Sequence, residues 1–272
     1  METPIEAFDI PLEVAEVYEA EFVPAIFAEW APVILDAVGL TGPVAGGRLL
    51  DVACGTGIVA RTAREICGSD LAVTGVDLNP AMLAVAGRIA PEIEWWRGDV
   101  SELPLADGHV DAAVCQMAAM FFPDRRRAVA EMARVVRPGG RLALVVPASL
   151  AEQPAYGPFV DIAVAATDDR ARLLLSTYWV CGDREVMADD LAAAGLESVS
   201  SRTRVGTARF ESVAGFVDTE IDATPLTEWV GAEARARITE EVAARLAGHV
   251  RPGQPFEIPL VANVVSARVP ER

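Results

Sequence analysis

The segment Leu49-Leu50-Asp51-Val52-Ala53-Cys54-Gly55-Thr56-Gly57 constrains the fold more than any other stretch of the chain. An apolar run of strand character enters a glycine turn, and a helical pattern follows it. A backbone approaches a ligand closely only where side chains are absent, and Gly55 and Gly57 supply that bare surface. The free N–H groups at the start of the next helix point back at the same turn. The pattern therefore predicts a small polar ligand at a strand-to-helix junction. Gly55-Thr56-Gly57-Ile58-Val59-Ala60 also fits the G-x-G-x-x-G/A dinucleotide pattern. Asp51 counts against a pyrophosphate there, since a carboxylate aimed at the turn repels an anion and attracts a cation.

Asp51-Val-Ala-Cys-Gly-Thr-Gly resembles the first motif of the class I S-adenosylmethionine (SAM)-dependent methyltransferases. The variant is that of the subgroup related to ubiquinone and menaquinone biosynthesis. SAM carries an ammonium and a sulfonium and no phosphate, which suits Asp51. Ala53 departs from the family, which has a glycine there; one added methyl group predicts a tighter turn rather than a lost site. Val73-Thr-Gly-Val-Asp77-Leu-Asn-Pro-Ala-Met82-Leu resembles the family's second strand, ending in an acid. Gly98-Asp99-Val100 resembles the third-strand motif, and Leu105-Ala-Asp-Gly-His-Val-Asp111 the turn into the fourth strand. Arg137-Pro-Gly-Gly-Arg141 resembles the turn into the fifth. These motifs follow one another in order from about residue 48 to 147.

The resemblance implies roles residue by residue. Asp51, Gly55 and Gly57 hold the methionyl part, with Ala53 in the same turn, and Asp77 holds the ribose hydroxyls. Leu78 and Met82 pack near the adenine, and Asp99 with Val100 meets its edge. Gln116 and Met117, ending the fourth strand, face the sulfonium and the acceptor. Tyr18, Phe22, Trp30, Tyr156, Tyr178 and Trp179 are candidate acceptor contacts, each weighed against ordinary packing. Asp99 has an alternative as the cap of a turn starting near Ser101, and Asp107 and Asp111 read as turn residues. No residue is singled out as a general base.

Apolar periodicity predicts helices over 12–38, alternating strands and helices over 48–147, and a helix over 183–194 ended by Gly195. A sixth strand over 196–204, a helical stretch over 212–249 and a last strand over 257–269 complete the pattern. With the alternation, the resemblance implies an α/β fold: a Rossmann-like seven-stranded sheet with its last strand antiparallel, helices on both faces and a helical cap. One methyltransferase domain spans 1–272, with a core of about 40–147, 183–206 and 257–272. Its cap elements cover about 8–38, 148–182 and 207–256, near the sheet edge where such folds bind ligands.

Composition narrows the function. A net charge of −17 opposes a nucleic-acid partner. All 23 basic residues are arginine, which excludes a Walker lysine, a Schiff base and a Ser-Lys dyad. Cys54, Cys67, Cys115 and Cys181 are scattered, without metal-ligand spacing, so no metal is expected. His109 reads as a turn residue and His249 as the end of a helix. Arg125-Arg126-Arg127 follows Asp124, a helix N-cap, and reads as a solvated face. No leader or bilayer-spanning run is apparent, so a cytoplasmic enzyme is expected. The reading is a methyltransferase using SAM as cofactor on a small apolar or aromatic acceptor, its oligomeric state left open. The alternatives are a SAM-binding protein without methyl transfer, such as a cyclase or sensor, and a nicotinamide-dependent oxidoreductase.

Overall fold

A computed structural model describes residues 10–222 and 224–271. Residues 8 and 9 of the expected N-terminal cap, 223 of the insert 207–256 and 272 of the core lie outside the described residues. Helix α1 (Leu12–Val17) continues into a π-helical stretch (Tyr18–Phe27), a 3-10 turn (Ala28–Trp30) and α2 (Ala31–Ala37). Pro24, which has no N–H to donate, sits inside the π-helical stretch. Alternation follows: β1 (Arg48–Val52), α3 (Ile58–Cys67), β2 (Ala72–Asp77), α4 (Pro80–Ile89), β3 (Glu94–Arg97), β4 (Val110–Gln116), α5 (Arg125–Val135) and β5 (Val136–Pro147). Next come α6 (Tyr156–Ala166), α7 (Asp169–Ser176) and α8 (Arg184–Ala193). The chain closes with β6 (Glu197–Phe210), α9 (Val213–Asp222), α10 (Ala232–Arg245) and β7 (Phe256–Arg268).

The strands form one seven-stranded sheet in the order β3-β2-β1-β4-β5-β7-β6. β7 is antiparallel to both β5 and β6, and the other pairings are parallel, as the resemblance implies. Side chains alternate across the sheet with period two. Leu49, Val73, Ala112, Val114, Ala143 and Val145 enter one core with residues of α2 and α3. Leu50, Val52, Val76, Ala113, Cys115, Leu142 and Leu144 enter the other, against α5 and α8. Both faces are therefore covered, which explains why the central strands read as continuous apolar runs.

Local chemistry sets the helix starts. Asn79 accepts from the backbone N–H of Ala81 and Met82 at 2.8 and 3.1 Å, with Pro80 at the first helical position of α4. Asp124 caps α5 through Arg127 N–H, and Asp183 caps α8 through Glu185 N–H. Gly195, at φ +78°, follows α8. Among the described residues no helix is long and apolar enough to cross a membrane.

Three local expectations are corrected. The sixth strand does not stop at 204 but continues to Phe210, because residues 205–210 keep pairing with 261–256 of β7. The two strands thus form a ribbon that outruns β5, whose pairing with β7 stops at Ala262. Asp111 is a strand residue of β4 rather than a turn residue; it accepts from Arg48 N–H at 2.7 Å and pairs with Arg137. Arg125 and Arg126 do not both point into solvent as a free charged face. Both bond the buried carboxylate of Asp190, tying α5 to α8.

The aromatic side chain of Trp95 on β3 lies behind the glycine turn, its Nε1 donating to Ala90 O at 2.9 Å. A Cβ added at Gly57 or Gly75 would overlap its ring, so these glycines form the slot it occupies. Gly75→Ala should therefore lower stability by about 1–3 kcal/mol through overpacking, measured by denaturant unfolding. An unchanged midpoint would show that Trp95 simply swings aside.

Candidate active site

β1, β2, β3, β4 and β5 run parallel, so their carboxyl ends share one edge of the sheet. The glycine turn, Asp77 and Gln116 all lie there, where open α/β sheets bind ligands. Ala53, Gly55 and Gly57 adopt φ of +53°, +54° and +87°. For the two glycines this region costs nothing; for Ala53 the methyl group is crowded against the following carbonyl. Met117, just past β4, is likewise at φ +50°. Two left-handed non-glycine residues thus flank this edge, and strain of that kind clusters at functional sites.

Two carboxylates hold the turn. Asp77 Oδ2 accepts from Gly55 N–H at 2.8 Å and its Oδ1 from Asn79 N–H at 2.9 Å. Asp51, 1 % exposed, accepts from Ala60 N–H at 3.0 Å with Oδ2, satisfying one of the free donors in the first turn of α3. Burial pushes the Asp51 carboxyl up to about 7, against the bond from Ala60; the neighbouring Asp77 charge adds to the rise. Asp77 is raised too, again by burial, with the backbone donors opposing. Among the described residues neither acid has a salt-bridge partner; the neighbouring Arg61 is paired with Glu19 at 2.7 Å. Each carboxylate oxygen accepts more than one donor, so capacity remains for a polar or cationic ligand.

Tyr18, half-buried, lies over the turn from the N-terminal segment. A Cβ added at Gly55 would stand 3.8 Å from its hydroxyl. Burial, with the charge of Asp77 next, raises its phenol well above the ordinary value. Phe22 and Phe27 stack on Tyr18 at 5.9 and 5.2 Å between ring centroids. Gln116 donates from Nε2 to Phe27 O at 3.0 Å, while its Oε1 is buried without a partner. Thr56 Oγ1 is buried and unpartnered as well. These orphaned atoms and the uncompensated acids match a ligand bearing donors and positive charge. They do not match a pyrophosphate.

The other expected residues separate into groups. Leu78 and Met82 follow Asp77 at the start of α4, each half-buried. Asp99 accepts from Ser101 N–H at 2.7 Å, the turn-capping bond weighed as its alternative, with Val100 half-buried beside it. Tyr156 and Trp179 meet at 5.1 Å, and Tyr178 stands edge-on to Phe121, which follows β4, at 5.9 Å. Trp30 is apart from these: its ring is buried against Gly206 of β6. His249 lines a cavity of about 290 Å³ on the flank of the β6–β7 ribbon, with Thr207, Arg251 and Gln254. Trp95, Glu19, Arg61 and Thr56 were not singled out from the sequence. Only the glycines at 57 and 75, facing a strand tryptophan, carried a signal for one of them.

Asp51 links the site to stability. The folded chain holds this proton more tightly than the unfolded chain, so its contribution is complete below the ordinary aspartate range. It is lost as pH rises from there through about 7. Asp51→Asn, which keeps an acceptor for Ala60 N–H, should make the ligand-free protein more stable than the wild type at pH 8. Thermal melts should show that advantage shrinking towards pH 4; a pH-independent difference would contradict the burial of a charged Asp51.

Residues 50–144 match the family model described as a methyltransferase domain. The chain is 35% identical over 130 residues to demethylmenaquinone methyltransferase of Renibacterium salmoninarum, covering 48% of this chain and 51% of that one. It is 35% identical over 185 residues to nocamycin O-methyltransferase of Saccharothrix syringae, covering 62% and 65%. The match to the first of these curated relatives spans about half of its length. The YcgJ protein of Bacillus subtilis has the same fold, with a TM-score of 0.58 at 21% identity over 90% of this chain and 99% of that one. Residues 50–144 thus match a methyltransferase domain, and over this region the chain is similar to the quinone-biosynthesis methyltransferases.

Proposed function

We propose that this chain is a SAM-dependent methyltransferase acting on a small apolar or aromatic acceptor. The observation that carries the reading is a pair of acids without an ion pair among the described residues, buried Asp51 and half-buried Asp77, around a left-handed glycine turn at the sheet's carboxyl edge. A pyrophosphate would add negative charge to that pair; an ammonium and a sulfonium neutralise it. Asp51, the bare turn of Ala53, Gly55 and Gly57, and Thr56 would hold the methionyl part. Asp77 would take the ribose hydroxyls on the lone pairs left free by Gly55 and Asn79. Leu78 and Met82 would sandwich the adenine, and Asp99 with Val100 would meet its edge.

SAM supplies an electrophilic methyl group on a good leaving group. The protein's part is alignment and exclusion of water, which account for much of the rate of an in-line displacement. Gln116 and Met117 stand where β4 ends and would face the transferred methyl. Tyr18, with Phe22 behind it, would close over the cofactor. Tyr156, Tyr178 and Trp179 would line the acceptor side, which favours an apolar or aromatic molecule; Trp30, buried under β6, is left to packing. The helices at this edge, α6, α7, α9 and α10 with the N-terminal segment, would form the cap and the sheet with α2, α3, α4, α5 and α8 the core. The relatives' names mention a menaquinone precursor and nocamycin, in keeping with such acceptors. The net charge of −17 opposes a nucleic-acid substrate, and four free, buried cysteines suit the reducing cytoplasm.

Calorimetric titration with SAM, its demethylated product S-adenosylhomocysteine and NADH tests the cofactor. Micromolar binding of the first two without NADH is expected; NADH binding alone would overturn the reading. Asp77→Ala should weaken SAM binding by about 1–3 kcal/mol, through lost charge-assisted hydrogen bonds and a loosened Gly55. A folded variant with wild-type affinity would remove Asp77 from the site. Methyl transfer from labelled SAM across a panel of phenols, naphthols and quinols then separates an enzyme from a SAM-binding protein that performs no transfer.

A further inference from the structure

Glu220, on α9, is a buried acid that no cation among the described residues answers. Aspartates two residues to either side, Asp218 and Asp222, both pair with Arg235 of α10 at 2.7 and 2.6 Å. A two-residue step turns about 200° around a helix, so Glu220 points the opposite way. It points inward, at 9 % exposure, and among the described residues no salt bridge reaches it. The titratable groups facing it from neighbouring elements are Tyr156 of α6 and Tyr178 of the 3-10 turn Thr177–Trp179. Burying a carboxylate in this way is costly unless a partner or a function offsets it.

The surroundings tie Glu220 to the acceptor side of the site. Tyr178 packs edge-on against Phe121, five residues beyond Gln116 at the end of β4. Trp179 packs on Tyr156, and Tyr156 on Phe216 of α9. The Tyr156 hydroxyl is buried, close enough to Glu220 for each to alter the other's proton, yet has no partner in hydrogen-bonding geometry. A buried hydroxyl without a partner in hydrogen-bonding geometry, beside a carboxylate with no ion pair among the described residues and within aromatic rings that lead to the sheet edge, is a polar pair that a third group would complete.

Resting on the methyltransferase reading, we propose that Glu220 is the catalytic base of this site and that the acceptor is a hydroxylated aromatic molecule whose reacting hydroxyl lies between Glu220 and Tyr156. As the acceptor oxygen forms its bond to the methyl group, the sulfur–methyl bond breaks and the sulfonium becomes a neutral thioether. The hydroxyl proton passes to the Glu220 carboxylate, and Tyr156 donates to the acceptor oxygen. Burial, partly offset by the Tyr156 hydroxyl, pushes Glu220 up to about 7, where a base both accepts and returns a proton near neutrality.

The test uses the full chain saturated with S-adenosylhomocysteine, with 4-nitrophenol as the probe because its phenolate is coloured. In the wild type the bound phenol should keep its proton to higher pH than the free one, since the Glu220 carboxylate disfavours a second negative charge. Glu220→Gln should raise the phenolate-to-phenol ratio of bound probe at pH 8 by tenfold or more. Tyr156→Phe should weaken probe binding several-fold, while Asp218→Asn changes neither property. In the wild type, ¹³C-carboxyl-labelled glutamate should give a resonance that titrates near pH 7 and moves when the probe is added; this holds even if Glu220→Gln does not fold. Absence of probe binding, a silent resonance, or identical probe titrations in the wild type and a folded Glu220→Gln would overturn the proposal. Calorimetry with S-adenosylhomocysteine on the same samples keeps the two readings apart. Loss of its binding in the wild type would refute the cofactor assignment. Retained binding in Glu220→Gln would place any probe effect on the acceptor side alone.

Discussion

Two carboxylates, buried Asp51 and half-buried Asp77, hold the backbone of the glycine turn and the helix that follows it, and the site is arranged around that fact. Asp77, at the end of β2, grips Gly55 N–H; Asp51, inside β1, reaches forward to Ala60 N–H in the first turn of α3. Each bond crosses from a strand to a backbone segment elsewhere in the chain, so the turn is pinned between adjacent strands. Hydrogen bonds to backbone amides satisfy part of each acid but leave its charge uncompensated. A site built this way is poised for a positive ligand, because the acids already carry the cost of leaving water.

The turn is also compressed from two sides. Trp95 fills the slot left by Gly57 and Gly75 behind it, and Tyr18 lies over Gly55 in front. The rear contact is close packing, with an indole ring seated against glycine backbones. The front contact belongs to a different kind of element. It comes from a π-helical segment interrupted by Pro24, tied down by the Arg61–Glu19 pair and by Gln116 donating to Phe27 O. The two sides divide the work: one fixes the turn, and the other brings aromatic surface to it.

Phe216 roots the inserted helices on the sheet. It packs against Phe210 and Phe256, the terminal pair of the β6–β7 ribbon, and against Phe159 and Tyr156 of α6. The ribbon's extension beyond β5 is what allows this. Helices inserted after β5 and β6 meet on it as a second apolar layer, and Glu220, one turn along α9 from Phe216, is carried to the inside of that layer.

The sequence by itself determined the sheet, its crossovers and the junction that makes the site. Strand alternation, N-cap residues and glycine turns are local signals, legible because each acts within a few residues. The family resemblance of the motifs around Asp51, Asp77 and Gln116 marked the shared edge, where parallel strands end together. What only the tertiary structure decided depends on which distant surfaces meet. Arg125 and Asp190 lie 65 positions apart, and nothing near either residue marks the pair. The ribbon beyond residue 204 exists because β7 pairs there, and residues 205–210 give little sign of it alone, with Val205 exposed and Gly206 beneath Trp30. Glu220 looks in sequence like one more acid on an amphipathic helix between Asp218 and Asp222. Its difference from them arises from the direction of α9 against α6, since burial and charge environment are properties of packing.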